Sequence, residues 1–394
     1  MPESAFLTGS GGPPPPRGGD RRCGLLLGGS GLLGGTILHH FKTNVPAVEI
    51  LAPNSKRVSL RNPADIDLYV SHFRPDFIIN SALAAIDSSP TLAYEVNFLG
   101  TIHLAQAAIK LGIPYIHLSS AATLPAGEDL REEESLPLVA GLPNYPKSKL
   151  LAEKALARLH REHGLDYTVI RLAVVYGEHD HKIQGFHRLL FSVASGRMPV
   201  LLTRPGVRHS YSNAAKLPRF VEYILGHRQE FTGQTYHFVD QEPVEMVQII
   251  RRIKATLRIS RPMEVSIPFP VARFGQRLAR TLVRTLNRLG IEARLPAELL
   301  FLREFYRTQT LSAAKLAASS FHDPCPEETV FTELPFLVEY YVTRWAHLNL
   351  ISPYDRLATP TPGANRFLKD PAALLEEDWS RPRKTGHRPV GASS

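Results

Sequence analysis

Along the first half of the chain, short apolar runs alternate with stretches whose apolar positions recur at helical spacing. The runs Gly24–Leu27, Val48–Leu51, Phe77–Asn80, Tyr115–Ser119 and Tyr167–Ile170 predict strands. Between them, Leu32–Phe41, Pro63–His72, Leu92–Leu111 and Tyr145–His163 predict helices. Alternation at this pace demands crossover connections, which produce a parallel sheet with helices on both faces. The expected fold class is therefore α/β, a doubly wound parallel sheet joined to a smaller C-terminal lobe. Ligands of such sheets sit beyond the carboxyl ends of the strands, so the chemistry is expected there.

The two ends read differently. Residues 1–22 contain Gly11–Gly12, the run Pro13–Pro16 and Gly18–Gly19, and residues 351–394 carry Pro353, Pro360, Pro362, Pro382 and Pro389 among Arg, Lys and Ser. Such composition buries too little apolar surface to offset chain entropy, so a disordered leader and a disordered tail are expected. The body between them is long enough for more than one domain but not for three. A hydrophobic fraction of 43% with 21% charged residues supplies ample core. Cys23 and Cys325 are too few for a disulfide framework or a zinc cage. No apolar run reaches the roughly 18–20 residues that span a bilayer, and the first residues lack a charged-then-apolar signal pattern. Cytoplasm is the expected location.

The net charge of +9 is concentrated. Residues 251–310 hold 13 Lys and Arg against 4 Asp and Glu, a surplus equal to that of the whole chain. Clustering of this kind points to one anionic surface or ligand more than to general polyanion binding. Arg273, Arg277, Arg280, Arg284 and Arg288 fall on one helical stripe, with Phe274, Leu278, Leu282, Val283, Leu286 and Leu289 beside them. Three readings of 271–289 stay open: peripheral contact with an anionic membrane face, a lobe helix with a solvated arginine face, or a grip on an anionic handle of the substrate. Nucleic acid is not an expected partner, because aromatic residues are sparse along the stripe.

The first strand runs into Gly28-Gly29-Ser30-Gly31-Leu32-Leu33-Gly34 and then a helix. Glycine at 28, 31 and 34 suits a tight turn, a close approach of backbone to a pyrophosphate, and close helix–strand packing. The helix N-terminus offers free N–H groups to the phosphates. This context, between a strand and a helix at the start of an alternating domain, makes the turn a dinucleotide site more than a loop extending the Gly-rich leader. After the second strand, Ile50–Arg57 contains no acid to bind ribose hydroxyls, whereas Lys56 and Arg57 suit a 2′-phosphate. NAD and NADP both stay open, with these two cations tilting the reading toward NADP.

Asn144–Lys149 opens a long amphipathic helix in which Tyr145 and Lys149, four apart, share a face. A phenol ordinarily titrates near pH 10, and a nearby ammonium favours the phenolate. The pair suits general acid–base work in hydride transfer at a carbonyl or alcohol. Tyr-x-x-x-Lys is common by chance and gains weight here from its place, about 115 residues after the glycine turn.

With Gly28–Gly34, Asp76–Ala82, Tyr94–Thr101, His117–Ser120, Tyr145–Lys149 and Arg171–Gly177 in this order, the chain resembles the extended short-chain dehydrogenase/reductase family, the NAD-dependent epimerase/dehydratase group, over about residues 24–345. The resemblance implies a Rossmann-type dinucleotide-binding domain over 23–177, completed by about 206–234, and a substrate lobe from 178–205 and 235–350. The late segment Phe305–Thr310 with Ala314-Lys315 resembles the family's C-terminal lobe. The resemblance makes Ser120, Tyr145 and Lys149 catalytic. Ser120 holds the substrate oxygen with Ser119 as runner-up, Tyr145 is the acid/base, and Lys149 binds the nicotinamide ribose and lowers the tyrosine's pKa. Cofactor contacts are expected from Gly28, Ser30, Gly31, Leu32, Gly34, Arg57, Ala82, Asn97, Ser119, Tyr145 and Lys149, with Asn97 also keeping the active-site helix in register. Substrate contacts are expected from Ser120, His181 and Arg208.

Departures from the family narrow the chemistry. Sugar 4,6-dehydratases carry an Asp-Glu pair straight after the active-site hydroxyl residue, and Ala121-Ala122 here argues against dehydration. Val174 stands where nucleotide-sugar epimerases usually place Asn. The segments Leu60–Asp76 and Ala84–Asp87 read more like the dTDP-4-dehydrorhamnose reductase branch, yet Gly206–Asn213 lacks that region's usual acids and retains Arg208. His179-Asp180-His181 with His187 is read as substrate contact or solvated loop, not as a metal site. The expected activity is NAD(P)-dependent hydride transfer at a carbonyl/alcohol centre of a sugar-nucleotide or lipid-like substrate. A nucleotide-sugar epimerase is the alternative, and a non-catalytic NAD(P)-binding regulatory subunit the second, against which the intact Ser120, Tyr145 and Lys149 argue. The expected partners are a small-molecule substrate and a second copy of the chain in a homodimer.

Overall fold

The computed structural model describes residues 21–351, except 197, 199, 203, 204, 260–262, 289–298 and 300, together with residue 372. The expected leader and tail lie outside these residues, apart from Arg21, Arg22, Ile351 and Ala372. The described residues up to Tyr341 belong to one compact unit and those from Val342 to a second. The described part of the second is the end of the helix Val330–His347 and the turn after it.

Six parallel strands form the main sheet: β1 (Arg22–Leu27), β2 (Val48–Leu51), β3 (Phe77–Asn80), β4 (Tyr115–Ser120), β5 (Tyr167–Leu172) and β6 (Gln234–Phe238), in spatial order β6-β5-β4-β3-β1-β2. The order reverses between β1 and β3, the switch point where ligands of open α/β sheets bind. Alternation within each strand feeds two cores. Leu26, Ile79, Ile116 and Ile170 pack with Ile37 and Phe41 of α1 (Leu32–Asn44) on one face. Leu25, Leu27, Ile78 and Val169 pack on the other face with α2 (Pro63–Phe73), α3 (Gly100–Leu111) and α4 (Asn144–His163). Each fully buried Leu or Ile contributes roughly 1.5–3 kcal/mol. The sheet is thus doubly wound, as the alternating pattern implies.

Two features depart from the sequence reading. The edge strand β6 occupies Gln234–Phe238, in the stretch assigned to the lobe, because it pairs in register with Thr168–Leu172 of β5. The helix expected over Leu92–Leu111 begins at Pro90 and is π-helical from Ala93 to Leu99 before continuing as α3. Within the widened segment Asn97 is buried and bonded to elements on either side, a local demand that helical periodicity does not reveal.

Beyond the main sheet, Val174–Tyr176 pairs with Tyr211–Asn213. A four-stranded sheet joins Gly127–Leu130, Gln309–Leu311, Arg208–His209 and Val244–Glu245. Late residues thereby return beside the loop that follows β4.

Candidate active site

The glycine turn caps β1. Gly28 has φ +85°, a region that L side chains rarely adopt, and a Cβ there would sit 2.7 Å from the backbone of Ser81 and Ala82 after β3. A Cβ on Gly34 would lie 2.2 Å from the Gly28 carbonyl oxygen, so only glycine lets α1 approach this closely. Gly31 is the N-cap of α1, and its N–H donates to the Gly28 carbonyl at 3.0 Å. The first turn, which begins at Leu32, carries no acidic side chain and no side-chain cap, leaving a positive helix end beside Ser30. Ala82 donates its N–H to Asn80 Oδ1 at 3.1 Å, next to the turn. Arg57 follows β2 with its guanidinium 5.9 Å from the Tyr69 ring centroid, and its N–H is held by Asn54.

At the carboxyl end of β4, strand alternation separates the two serines. Ser119 turns inward and donates to Glu153 Oε1 at 2.5 Å. Ser120 faces the other way, accepts from Ala122 N–H at 3.2 Å, and hydrogen-bonds with Tyr145. Ser120 is therefore the serine at the phenol, and Ser119 anchors the strand to α4. Burial raises the Tyr145 phenol above its ordinary value, the Ser120 hydrogen bond works against that rise, and the Glu153 charge adds to it. Lys149, almost fully buried, donates Nζ to the Leu118 carbonyl at 2.8 Å. Desolvation brings its pKa down to about 8, opposed by Glu153. The help expected from Lys149 in acidifying the phenol is not among the influences on Tyr145, whose pKa goes up.

Asn97 uses both ends of its amide on the protein: Oδ1 accepts from Ala84 N–H at 2.9 Å and Nδ2 donates to Ser148 Oγ at 3.1 Å. Ser148 in turn donates to the Tyr145 carbonyl at 3.0 Å. Asn97 thereby ties the loop after β3 to the first turn of α4.

Two residues of the site, Glu153 and Gln309, went unread in the sequence, and Arg171 was read only as part of a motif. Glu153 lies four residues beyond Lys149, so Tyr145, Lys149 and Glu153 share one helical face; that spacing was the available signal. Arg171 clasps Glu153 with Nη2–Oε2 at 2.8 Å and Nε at 3.2 Å from both oxygens, and its Nη1 donates to the Glu132 carbonyl at 2.9 Å. Gln309, distant in sequence, donates Nε2 toward the carbonyls of Ala121, Leu124 and Pro125 at 2.9–3.2 Å and so pins the loop after Ser120. No local pattern announces that contact.

A family model described as the NAD dependent epimerase/dehydratase family matches residues 25–206, which hold the turn, the two serines, Tyr145, Lys149 and Arg171. Over that stretch the chain is similar to that family. It is 28% identical over 179 residues to methionine adenosyltransferase 2 subunit beta of Xenopus laevis, covering 43% of this chain and 52% of that protein. It is 30% identical over 141 residues to a dTDP-4-dehydrorhamnose reductase of Sinorhizobium fredii, covering 34% and 45%. The chain thus spans about half the length of these curated relatives. Among solved structures it resembles a UDP-glucose 4-epimerase of Thermus thermophilus in complex with NAD, with TM-score 0.59 and 18% identity, covering 81% of this chain and 99% of that one. That likeness bears on the fold.

His181 is exposed in the loop after Tyr176-Gly177. Its neighbour Asp180 is engaged: its carboxylate lies 2.9 Å from His187 Nδ1, while His187 Nε2 lies 2.8 Å from the Gly177 carbonyl. Tyr341 donates to that same carbonyl at 2.8 Å and accepts from Asp180 N–H at 3.0 Å. Asp180 and His187 therefore brace the loop, and no group of three metal-ligating side chains gathers among the described residues. Arg208 is exposed and meets Glu128 at 3.4 Å. An exposed pair of this kind is weak and would yield to an anion.

Three buried histidines set an expected acid response. Burial lowers the pKa of His117, with the Lys149 charge adding to the effect, brings His237 down to about 4, and lowers His209. A histidine whose folded pKa lies below the unfolded 6.5 stabilises the fold above pH 6.5 and loses that contribution as pH falls toward the folded value. For His237 this amounts to about 3 kcal/mol. Asp240, raised to about 6 by burial, acts oppositely and offsets a comparable amount, its contribution being lost as pH rises through 6. The balance falls to His117 and His209, so urea midpoints should drop between pH 6.5 and 4. Both ring nitrogens of His117 are without hydrogen-bond partners among the described residues, so His117→Leu should flatten that drop. An unchanged acid limb in the variant would remove His117 from the account.

Proposed function

We propose that this chain is an NAD(P)-dependent oxidoreductase that reduces a carbonyl on a sugar nucleotide, with Tyr145 as proton donor. The observation that carries the reading is the placement of Tyr145 and buried Lys149 on one face of α4 at the carboxyl end of β4, where Lys149 donates to the Leu118 carbonyl and Ser120 ends the strand. The Gly28–Gly34 turn and the N-terminus of α1 would hold the dinucleotide, which supplies the hydride when bound. Ser120 orients the substrate oxygen, and Tyr145 delivers the phenolic proton to it. Lys149 would meet the ribose of the cofactor, with the Leu118 carbonyl fixing its ammonium. Burial lifts the phenol's pKa further above neutral pH, which suits proton donation. Lys56 and Arg57, with no acid between Ala52 and Arg57, support NADP over NAD.

A lipid-like substrate is the second reading. Leu83 and Ile86 after β3, and Leu138 and Val139 before α4, are large apolar side chains left exposed on the two segments that lead into the site. Asn144 Nδ2 links these segments by donating to the Ser88 carbonyl at 3.3 Å.

Mass spectrometry of the nucleotide that co-purifies with the chain, followed by assay of NADPH and NADH consumption with keto-sugar nucleotides, tests the proposal. A reductase consumes reduced cofactor in proportion to product. An epimerase would retain NAD and consume none. A regulatory subunit would bind dinucleotide with no turnover on any substrate, and failure to bind dinucleotide would sink all three.

A further inference from the structure

The helix Phe269–Arg288 contains five arginines and no acidic residue. Val271, Phe274, Leu278 and Leu282 recur three and four apart, so they form one stripe. That stripe points outward: the four side chains are 58%, 70%, 63% and 58% exposed. The helix is held from another side, where Ala272 is buried and Gln276 donates to the Leu299 carbonyl at 2.5 Å. A contiguous row of large exposed apolar groups marks an interaction surface more than ordinary solvent-facing scatter.

A cleft of about 460 Å³ opens along the same helix, against the segment from Leu302 to Arg307. Arg273, Arg280, Arg303 and Arg307 line it together with Gln276 and Glu304. Among the described residues none of these four arginines forms an ion pair, and the one carboxylate in the lining, that of Glu304, stands against four guanidinium groups. Arg307 instead lies 6.0 Å from the Phe269 ring centroid.

We propose that this helix docks the protein on the surface of a bilayer containing anionic phospholipid, with the apolar stripe among the acyl chains and the arginines at the phosphates. A soluble phosphate would account for the arginines and leave the stripe in water. A neutral apolar partner would account for the stripe and leave the arginines unmatched. The boundary between headgroups and acyl chains supplies both chemistries along one helix. Among the described residues no helix is long and apolar enough to cross a membrane, so the contact lies along the surface.

Co-sedimentation of the full chain with vesicles tests this, and it reads binding independently of any turnover. Vesicles of phosphatidylcholine with about a third phosphatidylglycerol should bring the protein down at roughly 50 mM salt and release it near 500 mM, where charge is screened within a few ångströms. Pure phosphatidylcholine should leave it in the supernatant. Each arginine removed, as in Arg277→Ala or Arg284→Ala, should weaken partitioning about fivefold. The double change Phe274→Ser, Leu278→Ser should weaken it more than tenfold while leaving the circular dichroism spectrum unchanged, since both side chains are exposed. Protein that stays in the supernatant at low salt overturns the proposal. So does vesicle binding indifferent to the serine pair, or a dimer in sedimentation velocity that the serine pair converts to monomer.

Discussion

Tyr145→Phe is expected to reduce turnover by a factor of about 10²–10⁴ while leaving dinucleotide affinity within about twofold of the parent. The phenyl ring keeps the packing of the first turn of α4, and the turn's other ties, from Ser148 to the Tyr145 carbonyl and from Asn97 to Ser148, do not involve the phenol. What disappears is the phenolic hydroxyl and the proton it carries. The two readouts are kcat in the reduced-nucleotide assay and the dissociation constant from nucleotide fluorescence. Unchanged turnover would overturn the proposed mechanism. A parallel loss of nucleotide affinity would assign the residue to binding. Ser120→Ala should fall short of the tyrosine change, because it removes the hydrogen bond that orients the oxygen and leaves the proton donor in place.

Arg171→Leu is expected to cost about 3–5 kcal/mol of folding stability, the range for removing one partner of a buried ion pair. Both members of the pair are almost fully buried, and Arg171 also satisfies the Glu132 carbonyl. Without the guanidinium, the Glu153 carboxylate keeps only the hydroxyls of Ser119 and Thr123. The double variant Arg171→Leu, Glu153→Leu should recover part of the loss, because neither member of the pair is then left buried without the other. Urea unfolding of the parent, both single variants and the double variant measures the coupling. Additive losses would show that the two side chains act independently and would remove the pair from the stability of the site. The same pair bears on chemistry, since Glu153 raises both Lys149 and Tyr145.

The regular half of the molecule was legible at the level of periodicity. β2 and β3 coincide with the apolar runs that predict them, and α1, α2 and α4 differ from their predicted spans by one to three residues at an end. These elements are local: each is decided by a few consecutive residues whose burial pattern repeats at a strand or helix period. The glycine turn was equally readable, because positive φ at Gly28 and contact distance at Gly34 both exclude a side chain and leave a spacing in the sequence. The π-helical turn at Asn97 was not, since its cause lies in Ala84 and Ser148, on two other elements. Gln309 was invisible for the same reason: it meets carbonyls more than 180 residues away.

By itself, then, the order of apolar, glycine and helix-facing residues determined the doubly wound sheet, the family resemblance, and the place of Tyr145 and Lys149 on one helical face. Those properties follow from short-range geometry that every residue obeys through its neighbours. Only the tertiary structure decided which serine meets the phenol, because a strand turns successive side chains to opposite faces and the sequence offers both. It also decided the electrostatics. Burial raises Tyr145, draws Lys149 down toward 8 and directs its ammonium to Leu118. Desolvation depends on everything packed around a group, and that surrounding comes from distant segments assembled by the fold.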